Sequence, residues 1–436
     1  MSAAARVIRG RVLSFTDDPS LGGSRAYSLV DDGAVLVAGG LIEAVGEARD
    51  ILARAPGGAV IDDHAGSFIM PGFIDAHVHY PQTQVIGSYG AQLLDWLNTY
   101  TFVEEQKFAD PAHCARVASF FLDELICTGT TTAMVYCTVH PQSVDAFFGA
   151  AEKRAMRMIA GKVMMDRDTP ERLKDDAQRG YDESKALITR WRGRGRLDYA
   201  ITPRFAVTST MAQLEAAGAL AREFPQLYVQ THANENKAEI ARVAALFPKA
   251  ESYIDVYARA GLLGPRSVLG HCIHMQASEV ALLAESRSVA AFCPTSNLFL
   301  GSGLFDQARL RRAGVRIALA TDVGGGTSYS MLRTAAEGYK VLQLNGQSWP
   351  ALEAFYRMTL GNARALSLDG RIGSIEAGKE ADLVALDPRA TPALAHRMET
   401  AGGDLQVELF ALMMLGDDRA VRETYVAGEP RKGAAA

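Results

Sequence analysis

The stretch Pro71-Gly72-Phe73-Ile74-Asp75-Ala76-His77-Val78-His79-Tyr80-Pro81-Gln82 reads as a chain break, a short apolar strand and two histidines at the strand's end. Pro71-Gly72 interrupts what precedes it, and residues 73–75 form the strand. Side chains two apart on a strand point to the same side, so His77 and His79 can face one ion together. The pattern recurs along the chain. Short apolar runs lead to His232, to His271 and to Asp322, and Glu235 follows His232 by one turn of a starting helix. In a barrel of parallel strands every strand C-terminus opens on one face, so residues as distant as His77 and Asp322 can line one pocket.

The central chain supports such a barrel. Residues 73–75, 131–136, 158–163, 197–201, 228–231, 267–269, 289–292 and 316–320 read as strands, with stretches of helical length between them. Residues 112–128, 141–155, 171–192, 212–224 and 277–285 carry apolar side chains at spacings of three and four. Strands alternating with helices predict an α/β fold of the (β/α)8 TIM-barrel class. The two ends resemble each other more than they resemble the middle. Residues 6–15 read as a strand, Ala38-Gly39-Gly40 between residues 34–37 and 41–45 is a hairpin signal, and residues 378–386 and 423–428 are short β-like runs. These predict a small β-sandwich domain formed from both chain termini, residues 1–70 and 366–436, beside a barrel of residues 71–365. The tail at 432–436 is expected to fray.

A chain of 436 residues, 48% hydrophobic and 22% charged, is long enough for one large barrel and a smaller partner. Its 45 basic and 50 acidic residues leave a formal charge of −5. No basic stripe stands out of the kind a phosphate backbone requires, so nucleic acid is not an expected partner, and the weak acidity suits a small neutral substrate. Cys114, Cys127, Cys137, Cys272 and Cys293 are odd in number and hold no Cys-x-x-Cys pair. That argues against a disulfide framework or a cysteine zinc site and for reduced thiols in the cytoplasm. No apolar run is long enough to span a bilayer, and residues 1–8 lack the apolar core of a signal peptide.

The chemistry sits at the strand ends. His77, His79, His232, His271 and Asp322 bring neutral imidazoles and one carboxylate together, a donor set that suits Zn²⁺ or Fe²⁺ better than Mg²⁺ or Ca²⁺. Glu235 is the expected acid and base, because Asn236 with Glu239 can supply the helix cap and leave Glu235 free to face the pocket. His64, His113 and His396 read as surface or structural residues. His274 cannot share a strand face with His271, and His140, after the second strand, is a weaker prospect for lining the pocket. Gly324-Gly325-Gly326-Thr327 lacks the lysine of a phosphate loop and is expected to let a loop pass close to the ligand.

His-x-His followed by Tyr80-Pro81-Gln82 resembles the amidohydrolase superfamily, and within it the guanine deaminase family in its bacterial form. Further segments carry the same resemblance over nearly the whole chain. They include Thr138-Val139-His140-Pro141-Gln142, Ile201-Thr202-Pro203-Arg204-Phe205-Ala206, Phe292-Cys293-Pro294-Thr295-Ser296-Asn297-Leu298 and Leu415-Gly416-Asp417-Asp418-Arg419. The resemblance implies one divalent metal ion per subunit, zinc with iron as the second choice, held by His77, His79, His232 and Asp322. It implies that His271 bonds water or substrate from just outside that set, and whether His271 also touches the ion is left open. Glu235 then shuttles protons with Asp322. Gln82 and Arg204 read the purine edge, with Arg204 near its carbonyl and Phe205 beside the ring, so that His79, Gln82, Arg204, Phe205, His232, Glu235 and Asp322 all face the substrate.

The implied reaction is hydrolytic deamination of guanine to xanthine and ammonia, in purine catabolism, by a homodimer. The implied partner is a small purine base. Ala233-Asn234, between His232 and Glu235, departs from the bulkier residues expected there and leaves room for a change in pocket shape. Competing readings are a related deaminase acting on oxidised guanine, cytosine, a pterin or an aminotriazine, and a barrel that serves only as a scaffold. The other zinc deaminases use His-x-Glu with Pro-Cys-x-x-Cys, and neither motif occurs.

Overall fold

The computed structural model describes residues 5–90 and 92–434. Alternating apolar residues near the N-terminus give β1 (Arg6–Phe15), β2 (Tyr27–Ala38), β3 (Leu41–Glu47) and β4 (Val60–Pro71). β1 pairs antiparallel with β2 and parallel with β4. β2 turns into β3 through Gly39 and Gly40, both at positive φ, the conformation that favours glycine and that the hairpin signal anticipates. The central chain supplies β5 (Phe73–His79), β6 (Thr130–Tyr136), β7 (Arg157–Gly161), β8 (Val163–Met164), β9 (Asp198–Pro203), β10 (Tyr228–Ala233), β11 (Ser267–His271), β12 (Val289–Phe292) and β13 (Arg316–Leu319). β14 (Leu383–Leu386), β15 (Val421–Val426) and β16 (Glu429–Pro430) return to the first sheet, whose order is β16-β15-β14-β4-β1-β2-β3.

That terminal sheet folds over on itself. Ile42 N–H donates to Lys379 O at 2.8 Å and Ala381 N–H donates to Gly40 O at 2.9 Å, so the β3 edge meets the segment leading into β14. Ile8, Val12, Val37, Ile69, Leu383 and Tyr425 are buried inside. The expected sandwich is thus one seven-stranded sheet closed over its own core.

Each predicted barrel strand is found within a few residues of its expected limits. The helices Pro111–Cys127, Pro141–Lys153, Met211–Glu223 and Ala277–Ser286 also match. The helix expected over 171–192 is shorter. Glu171–Leu173 is a separate 3₁₀ turn, and the helix runs Ala177–Trp191. The reason is local. Asp175 is tied down outside the helix, its N–H bonded to Met165 O at 2.6 Å and its carboxylate paired with the buried Lys162, and Asp176 then caps the helix by accepting from Arg179 N–H at 2.8 Å. The tail is also more ordered than expected. Lys432–Ala434 forms a 3₁₀ turn, tied by Lys432 N–H to Glu423 Oε1 at 2.7 Å and by Lys432 Nζ to Asp418 O at 2.6 Å. The last two residues of that expected fray lie outside the described residues.

Parallel ladders run in order from β5 through β6, β7, β9, β10, β11 and β12 to β13, with β8 added beside β9. Among the described residues no ladder joins β13 back to β5. That seam is sewn by side chains and by backbone beyond the eighth strand. Asn362 Nδ2 donates to Ile74 O at 2.6 Å and to Leu319 O at 2.8 Å, and its Oδ1 accepts from Leu319 N–H at 2.8 Å. Asp75 accepts from Thr321 N–H at 3.1 Å and from the Thr321 hydroxyl. Asp322 N–H donates to His77 O at 3.0 Å, and His79 N–H to Val323 O at 2.7 Å. The closure of the barrel therefore fixes His77, His79 and Asp322 against one another. Among the described residues no helix is long and apolar enough to cross a membrane, and all five cysteines are free.

Candidate active site

His77, His79, His232 and Asp322 are buried, and each offers a ligand atom within 4.8 Å of the other three. His79 Nε2 faces His232 Nε2 at 3.1 Å. Asp322 Oδ1 lies 3.4 Å from both His77 Nε2 and His79 Nε2. His232 Nδ1–H donates to Arg204 O at 2.7 Å, which fixes the tautomer and turns the Nε2 lone pair inward. Both ring nitrogens of His77 and Nδ1 of His79 are buried without a hydrogen-bond partner. Buried polar atoms are seldom left so. Burial pushes His79 down to about 3 and His232 well below the ordinary imidazole value. Burial also works against the charge on Asp322, but the neighbouring His77 and His79 imidazoles outweigh it and hold the carboxyl well below its usual range. Imidazoles, with those of His79 and His232 held neutral by burial, around an ionised carboxylate are the donor set a single divalent cation of the zinc type fits.

Glu235 lies beside this group. Burial, with the charge of Asp322, pushes its carboxyl up to about 8. Its Oε1 accepts from the Ser302 hydroxyl at 2.8 Å, and its Oε2 is 3.2 Å from His271 Nε2. The expected helix cap is present: Asn236 and Glu239 form a capping box on Lys237–Leu246, and Glu235 N–H also donates to Glu239. Glu235 is thereby left free to face the pocket. His271 ends β11, with Nδ1 at 3.0 Å from Asn297 Oδ1 and Nε2 at 3.8 Å from Asp322 Oδ2. Cys293 is close enough to make a second grouping with His271 and Asp322, but burial raises its thiol well above the ordinary value, so it stays protonated.

A small cavity opens over these residues. Its polar wall is His79, Gln82, Arg204, His232, Glu235, His271 and Asp322, and Phe205 and Gly325 also line it. Arg204 and Phe205 sit just past β9, where Phe205 bridges to His232. Leu93, Trp96, Leu97 and Leu300 complete the wall as an apolar cap. Three of these come from the helical run at 93–109, which contains a π turn at Leu97–Thr101 and lies outside every predicted element. Ser302, Asn297 and Glu105, which bond Glu235, His271 and Arg204, carry no predicted role either. Asn297 lies inside a segment that carries the family resemblance, and that was the one available signal.

The amidohydrolase family model matches residues 68–431. Guanine deaminase of Escherichia coli (strain K12) is 46% identical over 97% of this chain and 97% of its own. The chain belongs to the amidohydrolase family, among its guanine deaminases. The E. coli guanine deaminase structure matches with a TM-score of 0.95, covering 98% of this chain and 99% of that one. A guanine deaminase structure from C. acetobutylicum with bound guanine in its active site matches with a TM-score of 0.87 at 27% identity, covering 98% and 99%.

In this member of the amidohydrolase family the remaining histidines fall outside the cavity. His140 does not line it, and its N–H bonds Thr138 Oγ1 at 3.2 Å. His274 Nε2–H donates to Ser302 O at 2.7 Å, on the residue whose hydroxyl bonds Glu235. His64 is buried against the Tyr425 hydroxyl at 2.7 Å, His113 is buried near Glu104, and His396 is exposed. Ala233 and Asn234 do not line the cavity either. Asn234 O accepts from Ile273 and His274 N–H, so the small residues there serve the backbone turn and leave the pocket's shape to others. The glycine loop does pass close by: Gly324 N–H donates to Gln82 Oε1 at 3.1 Å, and a Cβ on Gly325 would fall 2.9 Å from Ser296 Oγ.

Proposed function

We propose that the chain is a guanine aminohydrolase that replaces the C2 amine of guanine with oxygen, giving xanthine and ammonia. The observation that carries this reading is the meeting of three features in one cavity: a cation-fitting donor set, the raised carboxyl of Glu235 and the fixed donors of Arg204 and Gln82. A group poised near neutral pH can both accept and return a proton, which contributes on the order of 10²–10⁴-fold. Glu235 takes a proton from the attacking water and delivers it to the ring nitrogen beside C2. Asp322 assists the second transfer, from the new hydroxyl to the departing amine, and ammonia leaves as the C2 carbonyl forms. His271, 3.2 Å from Glu235 Oε2, holds the water or the developing oxygen from the side. Arg204 offsets charge on the purine oxygen, Gln82 bonds the amide-like edge, and Phe205 lies beside the ring.

His77, His79, His232 and Asp322 are the proposed ligands. A divalent cation held by them supplies the Lewis acidity that brings the pKa of water from about 15.7 to about 7. Three nitrogen donors and one oxygen favour zinc, with iron second. We further propose a homodimer, on family resemblance, which light scattering in solution tests. A cytoplasmic location is supported by five free thiols. The division into a barrel of residues 71–365 and a β-domain of 1–70 and 366–436 is likewise a proposal, and limited proteolysis tests it.

The deciding experiment incubates the purified protein with guanine and follows ammonia and xanthine, with metal content measured on the same sample. Faster turnover of cytosine, a pterin or an aminotriazine, or no ammonia from guanine by metal-loaded protein, refutes the reading.

A further inference from the structure

We propose that Glu105, which does not line the cavity, is a positioning residue for oxo-group recognition: its carboxylate holds Arg204 and Gln82 in one fixed arrangement. This rests on the reading that those two residues contact the purine.

Glu105 is wholly buried on the short helix Phe102–Glu105. Its two oxygens accept from Arg204 Nη1 at 2.8 and 2.7 Å, and Oε1 also accepts from Gln82 Nε2 at 3.3 Å. One carboxylate therefore binds both residues at once. Phe102, from the same helix, lies with its ring 5.3 Å from the Arg204 guanidinium carbon and confines it from a second side.

The orientation of the Gln82 amide follows from its two neighbours. A carboxylate only accepts, so the side facing Glu105 must be the NH₂ group. Gly324 N–H only donates, and it meets the other side at 3.1 Å, so that side must be the oxygen. Each end keeps one free valence, a single N–H and a single lone pair. Gln82 can still serve as donor and acceptor, but in one orientation. Arg204 is constrained in the same way. With Nη1 committed to Glu105, the edge carrying Nε and Nη2 remains for a partner.

Charge gives Glu105 a second task. Arg204 and Glu105 are both almost fully buried, and Arg204 stands beside a donor set that fits a divalent cation. A buried cation without a partner is strongly unfavourable. An ionised Glu105 neutralises the guanidinium, so its attraction for a carbonyl oxygen is kept while its repulsion of the metal is reduced. A glutamine at 105 keeps the size and removes the charge. It can also turn an NH₂ group toward Arg204, which frees both Arg204 and Gln82 to reorient.

The test compares the wild-type metal-loaded enzyme with Glu105→Gln and Glu105→Asp. The probes are two competitive inhibitors, hypoxanthine, which carries the oxo group without the amine, and purine, which carries neither. Glu105→Gln should weaken hypoxanthine by about 10- to 100-fold, the range for losing a hydrogen bond to a charged group, and purine by less than about threefold. Glu105→Asp keeps the charge at shorter reach and should fall between, and it carries the test alone if Glu105→Gln does not fold. A residue that only supports packing moves both inhibitors together. An unchanged ratio of the two inhibition constants in the folded variants therefore overturns the proposal. Failure of the underlying function reads out separately, as absence of ammonia when the wild type meets guanine.

Discussion

Replacing Asn362 by leucine tests how this barrel is closed. Asn362 comes from the short helix Asn362–Ala365, and its amide makes three bonds across the gap between the first and last strands: to Ile74 O, to Leu319 O and from Leu319 N–H. It is fully buried, and so are Ile74 and Leu319. Leucine is of similar size and has nothing to offer these groups, so two carbonyls and one N–H are left unpaired where water does not reach. Each such orphan costs about 1–3 kcal/mol, which puts the loss at about 3 kcal/mol or more. At about 2.1 cal/mol/K per residue, a chain of this length loses about 1 °C of melting temperature per 0.9 kcal/mol. A fall of at least about 3 °C, measured at one scan rate on metal-loaded protein, is expected. As a control, Asn98→Ala removes one exposed bond to Leu94 O and should stay within about 0.5 kcal/mol of wild type. If Asn362→Leu melts within about 1 °C of wild type, the seam is not held by this amide, and the Asp75–Thr321 contact and the Asp322 and His79 backbone bonds carry the closure without it.

Glu235→Gln should keep its metal and lose about 10²–10⁴-fold in turnover, because the proposed ligands survive while the proton carrier does not; normal turnover by this variant removes Glu235 from the mechanism. Arg204→Ala should weaken guanine more than purines without the carbonyl, and equal losses on the two substrates would reduce Arg204 to a structural role. Gly270→Ala places a Cβ 2.6 Å from His77 Cε1, so it should displace that imidazole and lower metal content toward the level of His77→Ala. Metal analysis reads this directly, and full occupancy in Gly270→Ala would show that His77 can shift without loss of the ion.

The parts of this molecule that were legible in its sequence are those where one local rule dominates. Spacings of three and four mark the helices because each buries one face, and the eight barrel strands stand out as short apolar runs because both of their faces are buried. The cluster of His77, His79, His232 and Asp322 was legible because parallel strands of a barrel all end on the same side, so strand-end residues meet whatever their separation in the chain. The helical run at 93–109 obeys no such rule. It lines the cavity with only Leu93, Trp96 and Leu97 and contains a π turn, so its apolar period is broken.

Glu105 shows the limit most sharply. By sequence it is one acid among two in Val103-Glu104-Glu105-Gln106, where the ordinary reading is a solvated helix face. Glu104 departs from that reading too, being buried, but it still pairs with the half-exposed Lys107. What separates the two is a guanidinium ninety-nine positions away that arrives from a different strand end. A residue whose importance lies in a partner brought by the fold carries no mark of its own. It becomes visible only in the fold, where each buried charge has to find its counter-charge, and Arg204 finds Glu105 behind the wall of the cavity.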